Sequence, residues 1–145
     1  MVSEIPRVAI VEDDQSTARA LARLLGISGV QSATYHSAEA FLSDPGHAHF
    51  DCLILDVQLG GISGLELQRR LKDSPGPRSS PPIVFLTAHD EPEKREQALS
   101  VGCIAYLTKT ESAQVLLEAI GQGVRLRCVG DLVNAVQEEL SGSGR

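Results

Sequence analysis

The sequence predicts a doubly wound α/β domain: a single five-stranded parallel sheet with helices on both faces. Three observations predict it. Cys52-Leu53-Ile54-Leu55 is a run of four apolar residues ending in Asp56, and a strand without polar alternation suits the middle of a parallel sheet, buried on both faces. Short runs of this kind alternate five times with helical patterns, as βα units require. Polar residues able to do chemistry stand just beyond the runs at Glu12-Asp13, Asp56 and Lys109. The carboxyl ends of the strands are where such sheets bind ligands.

Taken in order, Arg7 to Val11 is a β-branched run that stops at Glu12, Asp13 and Asp14. Gln15-Ser16-Thr17 starts a helix with Leu21, Leu24 and Leu25 at helical spacing, and Gly26 and Gly29 bracket its end. Val30 to Tyr35 reads as a more polar strand, nearer an edge. Ser37 caps a short helix carrying Ala38, Phe41 and Leu42. After the strand ending at Asp56, Gly60-Gly61 marks a loop, and Ser63 with Glu66 forms a capping box for a helix through Leu65, Leu67 and Leu71. Ser74 to Pro82 is a proline-rich loop, followed by the strand Ile83 to Leu86, which stops at Thr87. Asp90 and Glu93 predict a second capping box, with Pro92 in the first turn of a helix running toward Gly102. Ile104 to Leu107 is the fifth strand, ahead of Thr108-Lys109. A last clear helix is expected from Ser112 to about Gly123, its core face formed by Val115, Leu116, Ala119 and Ile120. Leu132, Val133, Val136 and Leu140 are again helically spaced, a pattern open to dimerisation or to packing on the body, and Ser141 to Arg145 reads as a flexible end.

The 145 residues suffice for one domain with a substantial core. With 42% hydrophobic and 22% charged residues, the balance is that of a soluble globular chain. Aromatic residues are only 3%, with no Trp, which argues against a stacking platform for single-stranded nucleic acid. The net charge of −6 argues against a phosphate-backbone binder and suits a cation site. Cys52, Cys103 and Cys128 lack metal-ligand spacing and read as reduced thiols of a cytoplasmic protein. His36, His47 and His49 read as exposed loop residues. No signal peptide or membrane span is expected.

An acidic turn ahead of a helix is by itself unremarkable, since it favours the positive end of the next helix; Asp14 fits that role. Asp56 does not, because a buried run leads into it. If the strands are parallel, acids from two of them meet at one edge and repel. A hard cation such as Mg²⁺ suits such carboxylate oxygens. With the Lys109 ammonium and the Thr87 hydroxyl added, the set is what an incoming phosphoryl group requires, and Asp56 is able to act as its nucleophile.

On these residues the chain resembles the receiver domain of bacterial two-component response regulators, over roughly residues 7 to 123. The resemblance rests on Glu12-Asp13, Asp56 with Gly64 beyond it, Thr87-Ala88 and Lys109, in that order. It implies a flavodoxin-like receiver fold over residues 5–124, with 125–145 a C-terminal tail of helical spacing and unassigned role. It further implies that Glu12, Asp13, Asp56 and the Gln58 backbone carbonyl hold Mg²⁺, and that Asp56 accepts phosphoryl from a sensor histidine kinase or phosphotransfer protein. Thr87, Lys109 and the Ala88 N–H would contact the phosphoryl oxygens, and Tyr106 matches the aromatic that changes rotamer when the threonine moves. Gln58 and His89 stand where the family tunes phosphate lifetime. Two positions depart from the pattern: Gly60 and Thr110 stand where the family usually has proline, the second often in a cis bond. A receiver assists its own phosphorylation and dephosphorylation without being a turnover enzyme. The implied partners are the phosphodonor and a homodimer formed on phosphorylation, with no membrane and no direct nucleic-acid contact by this chain. Too little sequence follows the receiver here for a DNA-binding domain, so a stand-alone receiver and the receiver part of a longer protein both remain open.

Two other classes fit less well. An aspartate-nucleophile phosphatase resembles a pattern with aspartates two apart after the first strand, but Gln15 stands two beyond Asp13. A flavin or nucleotide domain needs glycine in the first turn, where this chain has acids that repel phosphate.

Overall fold

A computed structural model describes residues 5–74 and 80–142. Five strands, β1 (Arg7–Val11), β2 (Gln31–Tyr35), β3 (Cys52–Leu55), β4 (Ile83–Thr87) and β5 (Ala105–Thr108), alternate with five helices, α1 (Gln15–Ile27), α2 (Ala38–Ser43), α3 (Gly64–Asp73), α4 (Pro92–Val101) and α5 (Ala113–Gly142). All neighbouring strands pair in parallel, in the order β2-β1-β3-β4-β5. The four apolar residues of β3 are all buried, because β3 lies at the centre of the sheet with helices on both sides. The polar strand β2 lies at an edge, as its composition predicts.

Alternate side chains of each strand enter opposite cores. Ala9, Val11, Leu53, Leu55, Ile83 and Phe85 face one side, where Phe41 of α2, Leu67 and Leu71 of α3 and Ala98 of α4 cover them. Val8, Ile10, Cys52, Ile54, Val84 and Leu86 face the other, covered by Leu21 and Leu25 of α1 and Leu116, Ala119 and Ile120 of α5. Val115 is half-buried. Buried Gln68 donates from Nε2 to the Ala98 carbonyl at 3.0 Å and ties α3 to α4.

Several local expectations change. Asp14 is the N-cap of α1, but its carboxylate takes the Thr17 hydroxyl at 2.6 Å, not a backbone N–H. Ser37 and Ser63 cap as expected, accepting from the Ala40 and Glu66 N–H groups. The Glu66 carboxylate does not complete its box and instead meets Arg69 and Arg70. The N-cap of α4 is Glu91, not Asp90; Asp90 pairs with Arg95 at 3.1 Å, while Pro92 does hold the first helical position. His47 is half-buried, its ring 5.2 Å from that of Phe41.

The largest difference is α5, which passes through Gly123 and the 124/125 position without a break. Gly123 does not end the helix. A Cβ there would lie 3.0 Å from Cys52 Sγ and 3.3 Å from Pro82 Cβ, so glycine lets α5 close on the start of β3. The proline-rich loop expected over 74–82 and the flexible end over 141–145 fall in part outside the described residues, and so does the Cys128 side chain. No helix among the described residues is long and apolar enough to cross a membrane.

Candidate functional site

Sheet register assembles the pocket. Val11 pairs with Leu55 across β1 and β3, so the next residues, Glu12 and Asp56, leave the sheet side by side. The Asp56 N–H donates to the Val11 carbonyl at 3.2 Å. This edge lies where the strand order reverses, the usual ligand crevice of open α/β sheets. Glu12 and Asp56 are only 4% and 6% exposed, whereas Asp13 is open to solvent. One carboxylate oxygen from each of the three acids lies within 4.8 Å of the other two.

Lys109 arrives from the far side of the sheet. Thr87 pairs with Thr108, and the Lys109 N–H donates to the Thr87 carbonyl at 2.7 Å. The lysine Nζ then lies 2.8 Å from Glu12 Oε1 and 3.0 Å from Asp56 Oδ2. The peptide bond to Thr110 is trans, and Lys109 makes both contacts without a proline after it.

Burial pushes the Glu12 carboxyl above its ordinary range, against the hydrogen bonds from Lys109 and the Asp14 N–H; the Asp56 charge adds to the upward push. Burial alone would lower the Lys109 ammonium. The hydrogen bonds to Glu12 and Asp56, with the charges behind them, outweigh it and raise the pKa. The pocket therefore holds three acids against one ammonium. Three carboxylate oxygens at this spacing form the hard donor set that Mg²⁺ takes, with room on the exposed Asp13 side for its waters. The residues fit that ion.

The remaining predicted residues lie around this centre. Asp56 Oδ1 accepts the Gln58 N–H at 3.0 Å, so the turn carrying the Gln58 carbonyl is fastened to the same carboxylate. Thr87 is buried at the end of β4, and Ala88 and His89 after it are exposed. Tyr106 is buried on the α2–α4 side, its ring 5.8 Å from Phe85 and 5.6 Å from the Arg95 guanidinium. Burial, then the charges of Asp90 and Glu91, raises the Tyr106 phenol. Its hydroxyl has no hydrogen-bond partner among the described residues.

Gly64, part of the sequence pattern, has a contact role here, and two further features were not singled out from the sequence. Gly64 packs its backbone against the Asp56 carbonyl, and a Cβ would fall 2.1 Å from that oxygen. Glu39 of α2 accepts the Ile62 N–H at 3.0 Å and pins the loop after Asp56. The Gln58 side chain donates to Glu91 Oε1 at 3.2 Å, where Lys94 also binds at 3.1 Å, linking the pocket loop to α4. These last two join residues 23 and 33 apart, so local pattern carried no signal for them.

Fold and pocket together define a flavodoxin-like doubly wound domain with an acidic, lysine-bridged centre at the carboxyl edge of its sheet. The response regulator receiver domain family matches residues 8–121, and the chain belongs to that family. The response regulator TmoT of Ectopseudomonas mendocina is 34% identical over 119 residues, 82% of this chain and 53% of that protein. The transcriptional regulatory protein TdiR of Thauera aromatica is 31% identical over 134 residues, 92% of this chain and 58% of that one. The chain thus spans about half the length of the curated relatives it matches. Among solved structures, the response regulator StyR superimposes with a TM-score of 0.84 at 34% identity, covering 96% of this chain and 69% of that one. FixJ-N does so with a TM-score of 0.74 at 27% identity, covering 84% and 95%.

Proposed function

We propose that this chain is a phosphorylation-operated signalling switch with Asp56 as its phosphoacceptor. The observation that carries the reading is the Asp56 carboxylate itself. It is nearly buried at a strand end, bound to Lys109 Nζ at 3.0 Å and grouped with Glu12 and Asp13. Carboxylates so crowded by like charge favour a bound cation, and that cation together with Lys109 would offset the negative charge of an incoming phosphoryl group.

Glu12, Asp13, Asp56 and the Gln58 carbonyl would hold Mg²⁺, which when bound neutralises charge on the transferring phosphoryl group. An Asp56 oxygen attacks phosphorus, the bond to the donor's nitrogen or oxygen breaks, and the leaving group departs with its electron pair. Lys109, the Thr87 hydroxyl and the Ala88 N–H meet the phosphoryl oxygens. Drawing Thr87 toward the phosphoryl vacates space next to Tyr106, whose unpaired buried hydroxyl costs about 1–3 kcal/mol where it stands. That cost keeps the inward rotamer close in energy to an alternative, as a two-state element needs.

The donor would be a sensor histidine kinase or phosphotransfer protein in the cytoplasm, and the chain would assist gain and loss of its own phosphoryl group without turning over a substrate. The match to TdiR, named a transcriptional regulatory protein, covers 58% of that protein; output from this chain would pass to a partner or through a phosphorylation-dependent homodimer. The test is incubation with a small phosphodonor and Mg²⁺, followed by intact mass. The parent should gain one phosphoryl group and Asp56→Asn none; equal labelling of both would remove Asp56 from the role.

A further inference from the structure

The loop between β3 and α3 carries the Gln58 carbonyl, and its anchors are uneven. At its start the Gln58 N–H is held by Asp56 Oδ1 at 3.0 Å, and the Gly64 N–H donates back to the Val57 carbonyl at 3.0 Å. Leu59 and Ile62 rest half-buried against the core on the α2–α4 side, a contact without direction. Between them Gly60 and Gly61 are exposed, with no side chain to hold either. Glycine has the most backbone freedom to lose, so two in succession make one fixed loop conformation costly.

Among the described residues, one side chain from outside the loop hydrogen-bonds to the backbone of 59–62. Glu39, in the first turn of α2, accepts the Ile62 N–H on Oε2 at 3.0 Å. Gly61 is fitted to this contact. Its φ of +78° lies in the region that favours glycine, and a Cβ there would run into the same Oε2. The carboxylate thus fills the space that a side chain at 61 would take. The Ile62 N–H in turn holds the Glu39 carboxyl below its ordinary range, so it is ionised at neutral pH. Glu39 is not among the three acids whose oxygens gather within 4.8 Å; its oxygen serves the loop instead.

We infer that Glu39 is a positioning residue for the cation site: by fixing Ile62 beyond the two glycines, it holds the loop in the form that offers the Gln58 carbonyl to a divalent ion. The inference rests on the metal site proposed above. A loop that opens and closes offers that carbonyl only in its closed fraction, and apparent affinity falls with the fraction. One net hydrogen bond shifts the closed-to-open ratio by about two- to tenfold. Linkage makes the effect reciprocal, so an ion that selects the pinned loop also tightens the Glu39–Ile62 contact.

Titration calorimetry of the whole chain with Mg²⁺ alone tests it, with the solvent-exchange rate of the Ile62 amide followed by NMR. Glu39→Ala should raise the apparent Mg²⁺ dissociation constant about two- to fivefold and speed Ile62 exchange. Glu39→Gln keeps an acceptor oxygen without the charge, and should lie nearer the parent in both. Glu39 is exposed, so both variants should keep the parent's circular dichroism. In the parent, saturating Mg²⁺ should slow Ile62 exchange. Equal weakening in the two variants would reduce the effect to lost charge and overturn the inference. So would an Ile62 exchange rate that Mg²⁺ leaves unmoved. A parent that takes up no Mg²⁺ would remove the metal site of the proposed function and this inference with it, whereas a parent and Glu39→Ala that bind equally well would overturn this inference alone.

Discussion

Replacing Lys109 by methionine keeps the side chain's reach and removes its charge. In the parent, Nζ lies 2.8 Å from one carboxylate and 3.0 Å from another, both nearly buried. At an effective dielectric of about 20, each contact has a gross Coulomb energy of roughly 5–6 kcal/mol. Most of this is offset by the cost of taking the charges out of water, and deleting one partner of a buried pair typically costs about 3–5 kcal/mol. Lys109 is itself 24% exposed and Asp13 opens the pocket to solvent, so the expected loss is nearer ~1–3 kcal/mol at neutral pH without divalent cation. The loss has a pH signature. Burial holds Glu12 above its ordinary value of 4.5, so whatever stability its protonated form contributes is complete below 4.5 and disappears as pH rises through the folded value. Removing the lysine removes a hydrogen bond that lowers that value, so the penalty widens upward from pH 4.5. The ammonium's own contribution, with a raised pKa, is complete below 10.5 in the parent and lost only above it. Urea unfolding in chelator should therefore show parent and Lys109→Met converging in acid and separating toward neutrality. Mg²⁺ should narrow the gap, because an ion bound only to the native pocket stabilises it by mass action. A gap of the same size in acid and at neutral pH, and unmoved by Mg²⁺, would refute the electrostatic account and leave only lost packing.

Gly64→Ala should place a Cβ 2.1 Å from the Asp56 carbonyl, where backbone has no easy way to yield. Overpacking of about 1–3 kcal/mol or more outweighs a helix-propensity gain of at most ~1 kcal/mol, so the urea midpoint and phosphodonor labelling should fall together; an unchanged midpoint would mean the close approach is not there. Burial pushes the Cys52 thiol up to about 12, so a thiol reagent should leave it intact in the native protein while reacting with the half-buried Cys103. Peptide mass mapping that finds both modified at one rate would show α5 lifting from β3.

Local pattern reached a long way into this chain. The central strand was legible because Cys52 to Leu55 has no polar alternation, and the edge strand because Gln31 to Tyr35 does. The same reading failed where one residue type serves two ends. Gly123 looks like a helix terminator and is a packing glycine under a 30-residue helix. Asp90 and Glu93 look like a capping box, but Glu91 is the N-cap and Asp90 binds Arg95 instead. Choosing between these roles takes a partner that the local sequence does not contain.

The sequence by itself determined the alternation of strands and helices, the two-sided burial of β3 and the list of acids, alcohol and amine at strand ends, because each follows from the spacing of neighbouring residues. Only the tertiary structure decided the order β2-β1-β3-β4-β5, and with it that Lys109 crosses to Glu12, 97 positions away in a 145-residue chain. Periodicity says which face of an element is apolar. It does not say which element lies next to it, and the charges of this pocket balance only once that is settled.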